Sequence, residues 1–201
     1  MGERQVFQPL TREDKITVVL YRIGIVLAVI MTSSLALLLM QLTADGAGHR
    51  SHLIADILFY GLQMSVGMSV FFIHLYVGVF KKYLKNLYFI SLGCLAALLF
   101  IGTGSPSAAL LQAPVSALLL LPLSGCLGFV TAKEAFCFKL LEGYILAMLM
   151  PLYLLLIASG NLTGRSAASG LTLIAGLLVL FLLRKVFMPL AYDIGDKSAY
   201  R

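Results

Sequence analysis

Six long stretches without a single Asp, Glu, Lys or Arg fill most of this chain, at residues 23–42, 57–80, 87–104, 107–130, 143–160 and 166–183. Each is about as long as a lipid bilayer is thick, since a spanning α-helix takes roughly 20 apolar residues. Backbone in lipid must satisfy its own hydrogen bonds, so only helices and closed barrels cross. Barrel strands would be half as long and alternate in polarity. The runs therefore predict an all-α, polytopic transmembrane helix bundle of about six spans in one transmembrane domain. The spans fall at approximately 17–42, 54–80, 87–104, 107–130, 139–160 and 166–187, with short polar tails at 1–16 and 188–201. Composition agrees: 60% of the 201 residues are hydrophobic and 12% charged, against about 25% charged in a soluble domain. A soluble enzyme, a disordered chain and a nucleic-acid-binding module are excluded, in spite of the net charge of +6. The polar stretch from Met1 to Lys15 and the long run after it do not match a cleavable signal peptide.

The cations that punctuate the runs are unevenly shared. Arg4, Arg12, Lys15 and Arg22 precede the first span, and Lys81, Lys82 and Lys85 separate the second from the third. Lys133 and Lys139 separate the fourth from the fifth, and Arg184, Lys185, Lys197 and Arg201 follow the sixth. Only Arg50 and Arg165 fall on the other side of a six-span chain. Short basic loops stay in the cytoplasm, so both termini are expected there. Aromatics beside the cations, as in Phe80-Lys81-Lys82-Tyr83, are explained by interfacial anchoring and need no internal repeat. Cys94, Cys126 and Cys137 form no CxxC pair and read as packing residues. Gly61, Ser65 and Ser69, Gly93 and Ala97, and Ser124 and Gly128 form small-residue ridges, suited to packing within the bundle or between copies.

Polar groups at membrane depth are costly and are the natural candidates for chemistry. His49, His52 and Asp56 share one helical face. They suit a divalent metal or a proton-sensing pair of imidazoles; the bland alternative is a solvated loop followed by an acidic first turn. His74 is a candidate cofactor-binding ligand or a partner in an interhelical hydrogen bond, with Gln63 three turns away. The segment 133–143 carries the densest charge beside lipid. Lys139 and Glu142 are three apart and can pair on a helix, and Glu142 is expected to be partly desolvated. Pro114, Pro122 and Pro151 interrupt the fourth and fifth spans, and Gln112 lies beside the first of them; carbonyls freed by proline can line a path.

Two stretches carry a resemblance. Lys133-Glu134-Ala135-Phe136-Cys137-Phe138 and Asp193-Ile194-Gly195-Asp196-Lys197-Ser198 resemble an uncharacterised family of bacterial integral membrane proteins, common in cyanobacteria and related to plastid proteins, catalogued as a domain of unknown function. The resemblance extends from about the first span to the tail. It implies no catalytic role, and it marks the rim between the fourth and fifth spans, together with the tail, as the family's signature surface. The expected home is the bacterial cytoplasmic (inner) membrane, or alternatively a thylakoid.

Three functions are consistent with these residues. The first is a non-enzymatic scaffold or assembly protein. It would bind a membrane-protein partner or a second copy through Lys133, Glu134, Lys139, Glu142, Asp193, Asp196 and Lys197, as a contact surface or, within the chain, as a clasp. The second is a small transporter or channel with a path lined by Gln63, His74, Gln112 and Glu142. The third is a metal site or membrane enzyme using His49, His52 and Asp56. No catalytic residue is indicated, the cofactor is unknown, and the lipid bilayer, not nucleic acid, is the expected environment.

Overall fold

The computed structural model describes residues 11–45, 49–75, 77–188 and Asp193, without the side chains of residues 45, 49 and 50. The elements run α1 (Arg12–Asp45), α2 (His49–Phe72), α3 (Gly78–Ile101), α4 (Pro106–Gln112), a 3-10 segment (Pro114–Leu120), α5 (Leu121–Phe138), α6 (Leu141–Ala158) and α7 (Gly164–Val186). Among the described residues there are six helices long and apolar enough to cross a membrane, the fourth of them Pro114–Phe138. The chain folds as a helical membrane bundle.

Several expected boundaries move. α2 ends at Phe72 and α3 begins at Gly78, so Lys81, Lys82 and Lys85, expected between two spans, lie in the first turns of α3. The run 107–130 does not form one helix. Pro114 has no N–H to give and its ring clashes with the preceding turn, so Ala113 turns extended at φ −139°, ψ 99°. The short α4, capped by Ser105 Oγ accepting from Ala108 N at 3.2 Å, is thereby cut off, and the crossing restarts at Pro114. It then continues past the expected end at 130 to Phe138, where Lys139 takes a left-handed conformation (φ 55°, ψ 42°). Lys133 and Glu134 therefore belong to a spanning helix and not to a loop.

The most extensive contacts are α1 with α2, α5 with α6 and α1 with α7. The α1–α2 crossing is set by small residues. A Cβ built on Gly24 would lie 2.4 Å from Ser69 Oγ and 2.7 Å from Ser69 N, so only glycine permits this approach. Ser65 and Ser69, on the predicted ridge of α2, thus pack inside the chain; Gly93 of α3 faces open space. Tyr21, Ile25, Val66, Val70, Val130, Leu146, Leu178 and Phe181 build a common core, while Phe100, Phe136 and Met148 point outward, as lipid-facing residues do. The chain alternates direction. The start of α1, the ends of α2, α5 and α7, and the starts of α3 and α6 meet at one end, called the charged end below.

Candidate functional site

At the charged end, cations and carboxylates are turned inward. Glu134 of α5 is fully buried. Its Oε1 accepts from Tyr21 Oη of α1 at 2.6 Å and from Lys133 Nζ at 2.7 Å, and its Oε2 pairs with Lys185 Nζ of α7. Lys185 is also buried. It pairs with Asp193 Oδ1 and lies over the Phe138 ring, 4.0 Å from its centroid. Asp193 Oδ2 accepts from Arg22 Nε at 2.7 Å. The Arg22 guanidinium also donates to the carbonyls of Met188 (2.7 Å) and Val186 (3.3 Å) at the end of α7. One network of Arg22, Lys133, Lys185, Glu134, Asp193 and Tyr21 thereby joins α1, α5, α7 and the segment beyond it. Charge this close to lipid demands such mutual satisfaction, because an unpaired buried ion costs several kcal/mol.

The remaining rim candidates behave differently. Glu142 pairs with Arg184, whose Nη1 reaches both carboxylate oxygens at 2.8 and 2.9 Å. The pairing with Lys139 expected from their spacing is not made. Lys139 ends α5 and is exposed, so no continuous helix brings the two together. Asp196 and Lys197 lie outside the described residues. His74, just beyond α2, places Nε2 3.2 Å from Thr17 Oγ1, and its buried Nδ1 has no hydrogen-bond partner among the described residues. Burial depresses the His74 pKa from its ordinary 6.5; Lys133 and Lys81 push the same way, and Asp14 and Asp193 oppose them.

The opposite end is organised around Asp56. This buried carboxylate accepts from Ser105 Oγ at 2.7 Å and from Ser107 N at 2.9 Å, tying α2 to the start of α4. His52 is half-buried, with its backbone carbonyl 3.5 Å from Ser107 Oγ; the His49 side chain lies outside the described residues. No group of three His, Cys, Asp or Glu among the described residues is placed to hold a metal. Gln63 is buried in mid-membrane, where its Nε2 donates to Ser91 Oγ at 2.8 Å. Gln112 is exposed at the far end of α4. Gln63 thus lies in mid-bundle, His74 and Glu142 at the charged end and Gln112 in α4 away from it, so the four do not share one level.

What no single residue announces is a cavity of about 540 Å³ in the half away from the charged end. Its walls come from α1, α2, α4, the 3-10 segment, α5, α6 and α7, with Leu35, Leu39, Phe59, Leu127, Ile157 and Leu171 among them. The polar groups on it are mostly spent inside the chain: Thr32 Oγ1 donates to Ala28 O at 2.8 Å and Tyr153 Oη to Ala167 O at 2.9 Å. Thr43, His52 and Thr163 stand where it meets the end of the bundle. The volume lies within the roughly 300–1,000 Å³ of small-molecule sites.

Residues 68–201 match the model of the family described as uncharacterized integral membrane protein (DUF2301). The chain belongs to that family. It is an integral membrane protein, and a lipid bilayer is its environment. The match takes in both stretches that carried the resemblance, and it begins within α2. No curated protein and no solved structure matches the chain.

Proposed function

We propose that this DUF2301 protein is a non-enzymatic, single-domain membrane bundle that holds the acyl chain of a single-tailed amphiphile in the cavity opposite its charged end. The cavity itself carries the reading: about 540 Å³ with almost purely apolar walls. From Thr43 at the mouth to Thr32 midway along α1 it reaches about 16 Å into the bundle, at 1.5 Å per helical residue. An apolar void at that depth excludes water and takes a hydrocarbon chain, while Thr43, His52 and Thr163 offer hydrogen bonds to one polar head. The excess of basic residues at the charged end supports a cytoplasmic side for that end, and on this reading the amphiphile enters from the far leaflet. Binding of a membrane partner is the second reading. It is favoured by exposed Lys82, Lys139 and Arg184, since Glu134 and Asp193 are engaged within the chain.

Purification in mild detergent followed by native mass spectrometry and solvent extraction tests the proposal. One amphiphile per chain is expected, lost in Ala117→Phe, which fills the cavity from a buried wall position. A wild-type protein that carries none, and takes up none when offered oleate, overturns it.

A further inference from the structure

The cavity ends blind. Thr32 is its innermost residue on α1 and Ile174 its innermost on α7. One turn below them, Ala28 and Leu178 are fully buried. On α2 the last lining residue is Val66, and Val70, one turn on, is fully buried as well. Between α5 and α6 the backbones themselves close the space. A Cβ built on Gly128, next to the lining residue Leu127, would lie 3.4 Å from Ala147 Cα. Two helices give the same depth. Thr43 to Thr32 and Thr163 to Ile174 are equal lengths of chain, about 16 Å each at 1.5 Å per residue.

We propose, on the basis of the amphiphile-binding reading above, that this blind floor makes the cavity a ruler for acyl length. Saturated chains of about 14 carbons are its preferred ligands, and Val66 and Ile174 are the stop. An extended chain gains about 1.2 Å per bond, since the three backbone bonds of a peptide residue span about 3.5 Å. The depth from mouth to floor therefore takes about 13 bonds, with the head at Thr43, His52 and Thr163 and the terminal methyl against Ile174. A shorter chain leaves a void above the floor and forfeits the dispersion contacts it had in the bilayer. A longer chain cannot pass the floor, so it lifts its head off the mouth. Each methylene thereby returned to water weakens binding about fourfold. Selection comes from fit and not from hydrophobicity, because the competing bilayer is as apolar as the cavity walls.

The test is a competition on the full chain in mild detergent. Decanoate, dodecanoate, tetradecanoate, hexadecanoate and octadecanoate are offered in equal amounts, and native mass spectrometry reads which are retained. Tetradecanoate should dominate, by about tenfold or more over octadecanoate and severalfold over decanoate. Octadecanoate offered alone still enters, with its surplus carbons at the mouth. Ile174→Ala lowers the floor and should move the maximum to hexadecanoate; Ile174→Phe raises it and should move the maximum to dodecanoate. Both variants see the same micelles, so partition of the acids into detergent cannot produce opposite shifts. The wild-type profile stands by itself if either variant does not fold. Retention of all five acids in proportion to supply overturns the ruler and leaves acyl binding intact. A maximum that neither variant moves overturns Ile174 as the stop. No acid retained at any length overturns the amphiphile reading as well.

Discussion

The two halves of the bundle are made from the same helices and treat their interiors in opposite ways. At the charged end each carboxylate of the Glu134–Asp193 network has named partners, and four segments are joined through them. In the other half apolar walls line a cavity of about 540 Å³. The difference follows from what each group requires of lipid. A charge must find its counter-charge inside the protein, because hydrocarbon offers none. An apolar void loses only dispersion contacts, and a hydrocarbon chain can supply them. One half is therefore closed by necessity, and the other can stay open to a ligand.

The largest expected effect lies in the closed half. Glu134→Gln leaves Lys185 and Lys133 buried with a neutral partner, and thermal unfolding in detergent should show a loss of about 3–5 kcal/mol. An effect no larger than that of a surface substitution would erase the contrast between the halves. Asp56→Ala comes next. It removes the acceptor of Ser105 Oγ and the buried Ser107 N–H, and should cost about 1–3 kcal/mol in the same assay. Mass spectrometry should also show the cavity ligand held less tightly, because α4 loses its tie to α2.

The smallest effect is a pH dependence at His74. Its folded pKa lies below its unfolded value of 6.5, so the fold favours neutral imidazole. That contribution is complete above the unfolded value and is lost as the pH falls through the depressed folded one. Tm should decline as the pH drops below about 6.5, and His74→Gln should flatten that part of the profile. An unchanged profile in His74→Gln would remove this residue from the charged end's energetics.

The number of spans and the charge asymmetry were legible in the sequence because lipid demands a long, mostly apolar stretch for each crossing; where each helix ends was not, since Lys81, Lys82, Lys133 and Glu134 lie inside spanning helices. The α2 ridge was legible for the same kind of local reason, since Ser65 and Ser69 sit one turn apart. Pairing was not legible. Glu142 had a plausible neighbour in Lys139 and chose Arg184, since the left-handed turn at Lys139 breaks the helix that would have joined them. The choice among partners for Glu134 and Asp193 depends on how α1, α5 and α7 come together, which periodicity does not encode. The cavity was hidden most deeply of all. A void has no residue of its own, and the side chains that line it come from helices far apart in sequence.

The sequence contains no tryptophan, which makes the open half directly observable. Phe59→Trp places a single indole on the cavity wall, and Phe136→Trp places one on the outer surface. Titration with a brominated fatty acid should quench the Phe59→Trp emission to saturation at about one molecule per chain. The Phe136→Trp signal should fall only in proportion to the amount added. If the two positions quench alike, without saturation, the cavity holds no ligand, and the contrast between a closed and an open half fails.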